Sequence, residues 1–209
     1  FSEEAARRVT AAGKELLLHL PMEAENGNDP GPGAILTSQG DEQIRRLMED
    51  SFAQVPQAVG MNNHMGSRAT ADRRVMNVVM ETLQSNGRYF LDSRTTTETV
   101  GPETARAHSV PYLERDVFLD NEPQAPAIRK ALGDGIDVAR RKGSAILIGH
   151  VRNPQIVELI GALKPLVSGL SDREVVKPYG VWLPTLWGDA WGMLLLEWIL
   201  RDLLREVRL

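Results

Sequence analysis

The feature that most narrows the fold is a repeated alternation of short apolar runs with longer amphipathic stretches. Leu16 to Leu20, Ala58 to Asn62, Tyr89 to Asp92 and Ala145 to Gly149 have the length and apolar content of buried strands. Between them lie segments of helical period. Ser2 to Gly13 ends on a glycine, and a stripe of Ile44, Leu47, Met48, Phe52 and Val55 follows Ser38, a residue type suited to a helix cap. Ala71 to Asn86 puts Val75, Met76, Val79, Met80 and Leu83 on one face, and Pro126 to Lys142 closes on Gly143. Shorter pieces fill the remainder: a helix around Glu103 to Ala107, extended pairs at 110–113 and 117–119, and a helix opened by Asn153-Pro154. Strand and helix in turn, with short connections, predict a mostly parallel sheet, open or closed into a barrel.

That architecture also says where chemistry gathers, because ligands meet parallel sheets at the carboxyl ends of the strands and on the loops that follow. His19, His64, Asp92 and His150 all fall there, and the chain has only four histidines. A single histidine in an apolar strand is most simply a hydrogen-bonded core residue. Three at one rim point instead to a metal site, since neutral imidazole is the commonest metal ligand and catalytic zinc takes three protein ligands plus water. His64 lies in Asn62-Asn63-His64-Met65-Gly66-Ser67, which reads equally as a polar turn and as a ligand flanked by orienting amides. Asp92 and Arg94 end the third strand. They suit a loop cap, or a carboxylate orienting histidine or water beside a cation that steadies negative charge. His150, after Gly149, suits a general acid. Asp116, Asp120 and Glu23 are intermediate candidates, and His108 reads as a surface residue.

Composition removes several alternatives. The 209 residues carry a net charge of -4, with 42% hydrophobic and 25% charged residues. The basic pairs are scattered over helical segments, so nucleic acid is not an expected partner. Cysteine is absent, which excludes disulfides and thiolate ligands. No Gly-x-Ser-x-Gly elbow, phosphate-binding loop or His-Glu-x-x-His signature occurs. The sequence opens on Phe1-Ser2 within a helical pattern, so further sequence is expected upstream.

Five blocks carry a resemblance. They are Leu18-His19-Leu20-Pro21-Met22-Glu23, Gly60-Met61-Asn62-Asn63-His64-Met65-Gly66-Ser67, Phe90-Leu91-Asp92-Ser93-Arg94-Thr95, Arg115 to Asp120, and Gly143 to His150. In order and spacing they resemble the divergent polysaccharide deacetylase family over residues 1–168. The resemblance implies an irregular seven-stranded β/α barrel, here without its N-terminal strands. It also implies removal of acetyl groups from an envelope polysaccharide with a divalent metal, usually zinc, in the periplasm or outside the cell.

In that reading His19 and His64 bind metal, Asn62 and Asn63 contact substrate, and His150, Asp92 and Arg94 are catalytic. The family's Asp-Asp pair on its first strand has no counterpart in residues 1–209, and Val151 stands where proline usually follows the last histidine. Without the carboxylate pair, the alternative is a carbohydrate-binding or envelope-interaction protein that keeps the fold. A metal-assisted hydrolase acting on another amide or ester is a third reading.

Residues 169–209 do not match the family pattern. Trp191 to Leu209 reads as an amphipathic helical extension, with Leu196, Ile199, Leu200, Leu203 and Val207 on one stripe. It is too charged to span a bilayer and suits packing or oligomerisation ahead of contact with a membrane surface.

Overall fold

The computed structural model describes residues 2–150, 153–156, 158, 177–182 and 193–199. The chain divides into two compact units, Phe1–Glu114 with Val181–Ala190 and Arg115–Gly180 with Trp191–Leu209.

In the first unit, α1 (Ser2–Ala11) leads into β1 (Leu16–Met22), α2 (Asp41–Gln54), β2 (Gly60–Met65), α3 (Arg73–Ser85), β3 (Tyr89–Asp92), α4 (Gly101–Ala107) and β4 (Tyr112–Glu114). The strands pair in parallel in the order β1-β2-β3-β4, with His19 beside Asn62 and Asn62 beside Leu91. Every residue of β1 is buried, as expected for a parallel strand covered on both faces. Leu16, Leu18, Leu20 and Met22 join the core made with Ile44, Met48, Val75, Met76, Val79 and Phe90. Strand alternation therefore turns Leu17 and His19 to the opposite face, together with their parallel neighbours Gly60 and Asn62.

The second unit contains β5 (Val117–Phe118), α5 (Ala125–Lys142), β6 (Ser144–His150) and β8 (Met193–Ile199). β5 pairs in parallel with β6, and β8 pairs antiparallel along the whole of β6. Leu119, Ile128, Leu132, Ala139, Leu147 and Ile156 form its core. Gly149 packs closely, since a Cβ there would lie 2.7 Å from Ile156 Cδ1 and 3.3 Å from Leu119 Cβ. β7 (Lys177–Trp182) completes the strands among the described residues.

The α/β class with a parallel sheet is as expected, and four boundaries differ. β1 continues through Pro21, which donates no hydrogen bond but accepts one from Ile35 N at 2.9 Å. α2 starts at Asp41 rather than after Ser38, and its entry is fixed by Gln43 Oε1 accepting from Gly40 N at 2.9 Å. β2 extends to Met65, which makes His64 a strand residue rather than part of a turn. The expected C-terminal helix is corrected over residues 193–199, which are strand. An unbroken apolar run such as Met193 to Leu196 has no period that separates strand from helix, and pairing with β6 satisfies backbone groups on both strands. The boundary at 168/169, Val151 and residues 200–209 lie outside the described residues. So does most of the helix opened by Asn153, of which residues 154–156 and 158 are helical. Among the described residues no helix is long and apolar enough to cross a membrane.

Candidate functional site

The two histidines of the first unit meet. His19 is 1% exposed, and its Nε2 lies 3.3 Å from His64 Nδ1, with the rings 71° from coplanar. Adjacent parallel strands bring this about: His64 is two residues beyond Asn62, the register partner of His19. Two nitrogens each held about 2.0–2.1 Å from a tetrahedral zinc ion are about 3.3–3.4 Å apart. The pair therefore has the spacing of two ligands on one ion, and equally that of an N–H···N hydrogen bond. Among the described residues no group of three or more histidines and carboxylates is placed to hold a metal.

Asn62 and Asn63, expected to contact substrate, are instead fully buried beneath the rim. Asn62 Oδ1 sits 2.6 Å from His19 Nδ1, and its Nδ2 donates to Leu91 O at 2.7 Å and Ser93 Oγ at 2.8 Å. Asn63 Oδ1 accepts from Ser93 N at 2.8 Å, and its Nδ2 donates to Met65 O at 2.6 Å. Ser93 Oγ donates to Asn63 O at 2.7 Å. The amides thus lock the end of β2 to the loop after β3. Met65 and Arg94, in these two loops, both have positive φ, at 53° and 51°. That is an uncommon backbone state which the surrounding hydrogen bonds hold in place. Gly66, at φ 94°, could not carry a side chain without crowding Met22 Cβ at 3.0 Å.

Asp92 is 0% exposed and serves its own loop. Its Oδ1 accepts from Arg94 N at 2.7 Å, and its Oδ2 accepts from Thr99 Oγ1 at 2.7 Å and Tyr112 OH at 2.9 Å. Burial first, then the Asp92 charge and hydrogen bond, raise the Tyr112 phenol far above its ordinary range. A carboxylate engaged in this way anchors the β3 loop rather than orienting a histidine or water. Arg94 leans toward Glu114, with Nη1 3.4 Å from Oε2.

Glu23 also acts on loops. Its Oε2 accepts from both the N–H and the hydroxyl of Thr37 at 2.6 Å, and Arg68 lies 3.5 Å from Oε1. The hydrogen bonds from Thr37 are the main reason its carboxyl sits below the ordinary range. A carboxyl with a lowered folded pKa stabilises the fold above its unfolded value, and that stabilisation is lost as pH falls through the folded value. Glu23→Gln should therefore cost about 1 kcal/mol at neutral pH. The gap from the unchanged protein should close as pH drops below 4.5, as read from urea midpoints across an acid series. A gap independent of pH would contradict this role. In front of Glu23 a cleft of about 460 Å³ opens, lined by Glu25, Thr37, Ser67, Arg68, Thr96 and Glu98 from the loops after β1, β2 and β3.

In the second unit His150 Nδ1 lies 3.1 and 3.2 Å from the two oxygens of Asp120, which also accept from His150 N. The Asp120 side chain is 5% exposed and that of His150 37%, so the carboxylate is buried behind a ring open to solvent. Asp116 is engaged elsewhere, accepting from Ile146 N at 2.9 Å and Lys142 Nζ at 2.7 Å. His108 is half-buried, with Nε2 3.2 Å from Asn77 Oδ1.

A family model described as divergent polysaccharide deacetylase matches residues 1–177. The chain belongs to that family. Its relatives include an uncharacterized protein of Haemophilus influenzae, 35% identical over 87% of this chain and 64% of its own length. The uncharacterized protein YibQ of Escherichia coli is 36% identical over 71% of this chain and 47% of its own length. The chain thus spans less than two thirds of these curated relatives. Among solved structures, an uncharacterized protein of Agrobacterium tumefaciens matches with a TM-score of 0.73 and 27% identity, covering 78% of this chain and 67% of the other. The three histidines expected at strand ends fall at different points: His19 midway along β1, His64 next to the end of β2 and His150 at the end of β6. The partner carboxylate Asp120 and the serine Ser93 had no comparable signal, because what marks them is a contact across thirty residues of chain.

Proposed function

We propose that this chain is part of a metal-dependent deacetylase that removes acetyl groups from a polysaccharide of the bacterial envelope, in the periplasm or outside the cell. The observation that carries the reading is the 3.3 Å approach of His19 Nε2 to His64 Nδ1 across two adjacent parallel strands. These residues would fill two positions of a divalent cation, with zinc the expected ion. A further ligand and the catalytic base would come from carboxylates beyond the described residues, as the family's Asp-Asp pair implies. Closure of the strands into a seven-stranded barrel belongs to the same proposal. When bound, such an ion supplies Lewis acidity toward an acetyl carbonyl and makes water a nucleophile at neutral pH.

The protein's own groups do the rest. His19 and His64 present ring nitrogens from a rigid sheet. The cleft lined by Thr37, Ser67, Arg68 and Thr96 offers hydroxyl and guanidinium partners to sugar hydroxyls. Arg94 steadies negative charge that develops on the acetyl oxygen. In the second unit His150 has its Nδ1 directed to Asp120, which leaves Nε2 to give a proton, and the family resemblance assigns to it the proton for the departing amine or alcohol.

One observation favours the second reading, a carbohydrate-binding protein without catalysis: the described residues hold no three-ligand metal group. Metal content separates the two. Purified without chelator, the protein should carry about one equivalent of zinc or a similar ion, and His19→Ala and His64→Ala should each lose it. A folded protein without metal would sink the deacetylase reading for this chain and leave binding.

A further inference from the structure

We infer that Asn62 is a positioning residue that sets the tautomer of His19, and so decides which ring nitrogen His19 offers as a ligand. Its consequence for metal rests on the proposed function above, whereas the tautomer itself does not.

A backbone carbonyl oxygen can only accept a hydrogen bond. Leu91 O lies 2.7 Å from one end of the Asn62 side chain, so that end must be the NH2 group. The reverse orientation would set two carbonyl oxygens against each other at the same distance. Ser93 Oγ lies 2.8 Å from the same NH2 and gives its own proton to Asn63 O, which leaves its lone pairs to accept. Two acceptors, both buried, therefore hold the amide in one orientation.

The other end is then an oxygen, 2.6 Å from His19 Nδ1. An oxygen at that distance requires a proton on Nδ1. In neutral imidazole one nitrogen carries the proton and the other the lone pair, so the lone pair of His19 is on Nε2. Nε2 is the atom that faces His64 Nδ1 at 3.3 Å. The chain Ser93–Asn62–His19 thus delivers a ligand lone pair to the point where the two rings converge. All of it is buried, with Asn62 at 0% and Ser93 at 3% exposure, so water has little opportunity to substitute for a missing partner. An amide that holds the far nitrogen of a ligand histidine typically contributes 10–100-fold to metal affinity.

The test reads the tautomer in the metal-free protein. Chelator-treated, 15N-labelled protein is examined by long-range proton–nitrogen correlation of its histidine rings, at a pH where imidazole is neutral. His19 is assigned by its loss in His19→Ala. The unchanged protein should show His19 protonated at Nδ1 alone. Asn62→Leu, close in size but without an acceptor, should admit the Nε2-protonated form and lower zinc affinity about 10–100-fold in a chelator competition. Asn62→Asp keeps an acceptor and should restore the Nδ1 form. A merely structural role for Asn62 would not sort the two variants in this way.

Protonation of His19 at Nε2 in the unchanged protein would overturn the inference with no variant needed. So would an unchanged Nδ1 tautomer in Asn62→Leu. If His19 carries its proton on Nδ1 and responds to Asn62→Leu, yet the unchanged protein takes up no metal, the positioning role stands and the deacetylase reading fails.

Discussion

Asp92→Ala is expected to lower the stability of the first unit by about 3–5 kcal/mol, the largest loss foreseen for any single residue of the candidate site. The carboxylate is fully buried and receives three donors: Arg94 N, the Thr99 hydroxyl and the Tyr112 hydroxyl. Alanine removes this acceptor from all three, and each partly buried donor so deprived costs up to about 1–3 kcal/mol, less whatever entering water restores. Asp92→Asn should be much milder, at about 1–2 kcal/mol. Its oxygen can still accept the Arg94 N–H. Its NH2 can face the two hydroxyls, which rotate to accept instead of donate. Urea unfolding of the two variants measures the difference. Equal losses, or an alanine cost under about 1 kcal/mol, would mean that Asp92 does not anchor the loop.

This role for Asp92 shows where the reading of the sequence stopped. The strand carrying it was legible to the residue, and α5 with its closing Gly143 to within one residue at its start, because β-branched, aromatic and apolar runs bounded by glycine and polar turns mark such elements locally. That three histidines fall on strands of the parallel sheet was legible too, although only His150 ends its strand and His19 stands midway along β1. Three things were not. His64 sits inside β2 rather than after it, since an Asn-Asn-His run has turn composition and only parallel pairing to β1 makes it strand. Residues 193–199 pair with β6, and pairing partners leave no trace in a short apolar run.

The third was the division of labour among polar residues. Asn62, Asn63, Ser93 and Asp92 have the chemistry of substrate contacts, but their atoms are engaged with one another's loops. Asp116 and Asp120 are four residues apart and look alike in sequence. The end of β5 separates them, with Asp116 bonded to Ile146 N and Asp120 to the histidine. The buried residues therefore act on the candidate site only through the groups they hold. Substitutions beneath the rim are then expected to act on geometry and affinity before they act on recognition.

The Asp120–His150 pair supplies the second large effect. If His150 is the general acid, Asp120→Asn should lower kcat for release of acetyl from an amide-linked sugar by about 10²–10⁴-fold, with KM nearly unchanged. The carboxylate, buried behind a half-open ring, accepts the Nδ1 proton and leaves Nε2 as the atom that gives a proton away. An asparagine in its place can turn its NH2 toward Nδ1, which reverses the tautomer. Folding should be little affected, because the asparagine oxygen still accepts from His150 N.

Leaving groups provide the control. An amine cannot depart without a proton, whereas an aryl oxide can, so hydrolysis of an aryl acetate should fall far less in Asp120→Asn and in His150→Ala. Parallel losses on both substrates would place His150 outside proton delivery, and the pair would then be a structural tie between the end of β6 and the segment after β5. A selective loss on the amide would identify the imidazole as the acid and the buried carboxylate as the group that aims it.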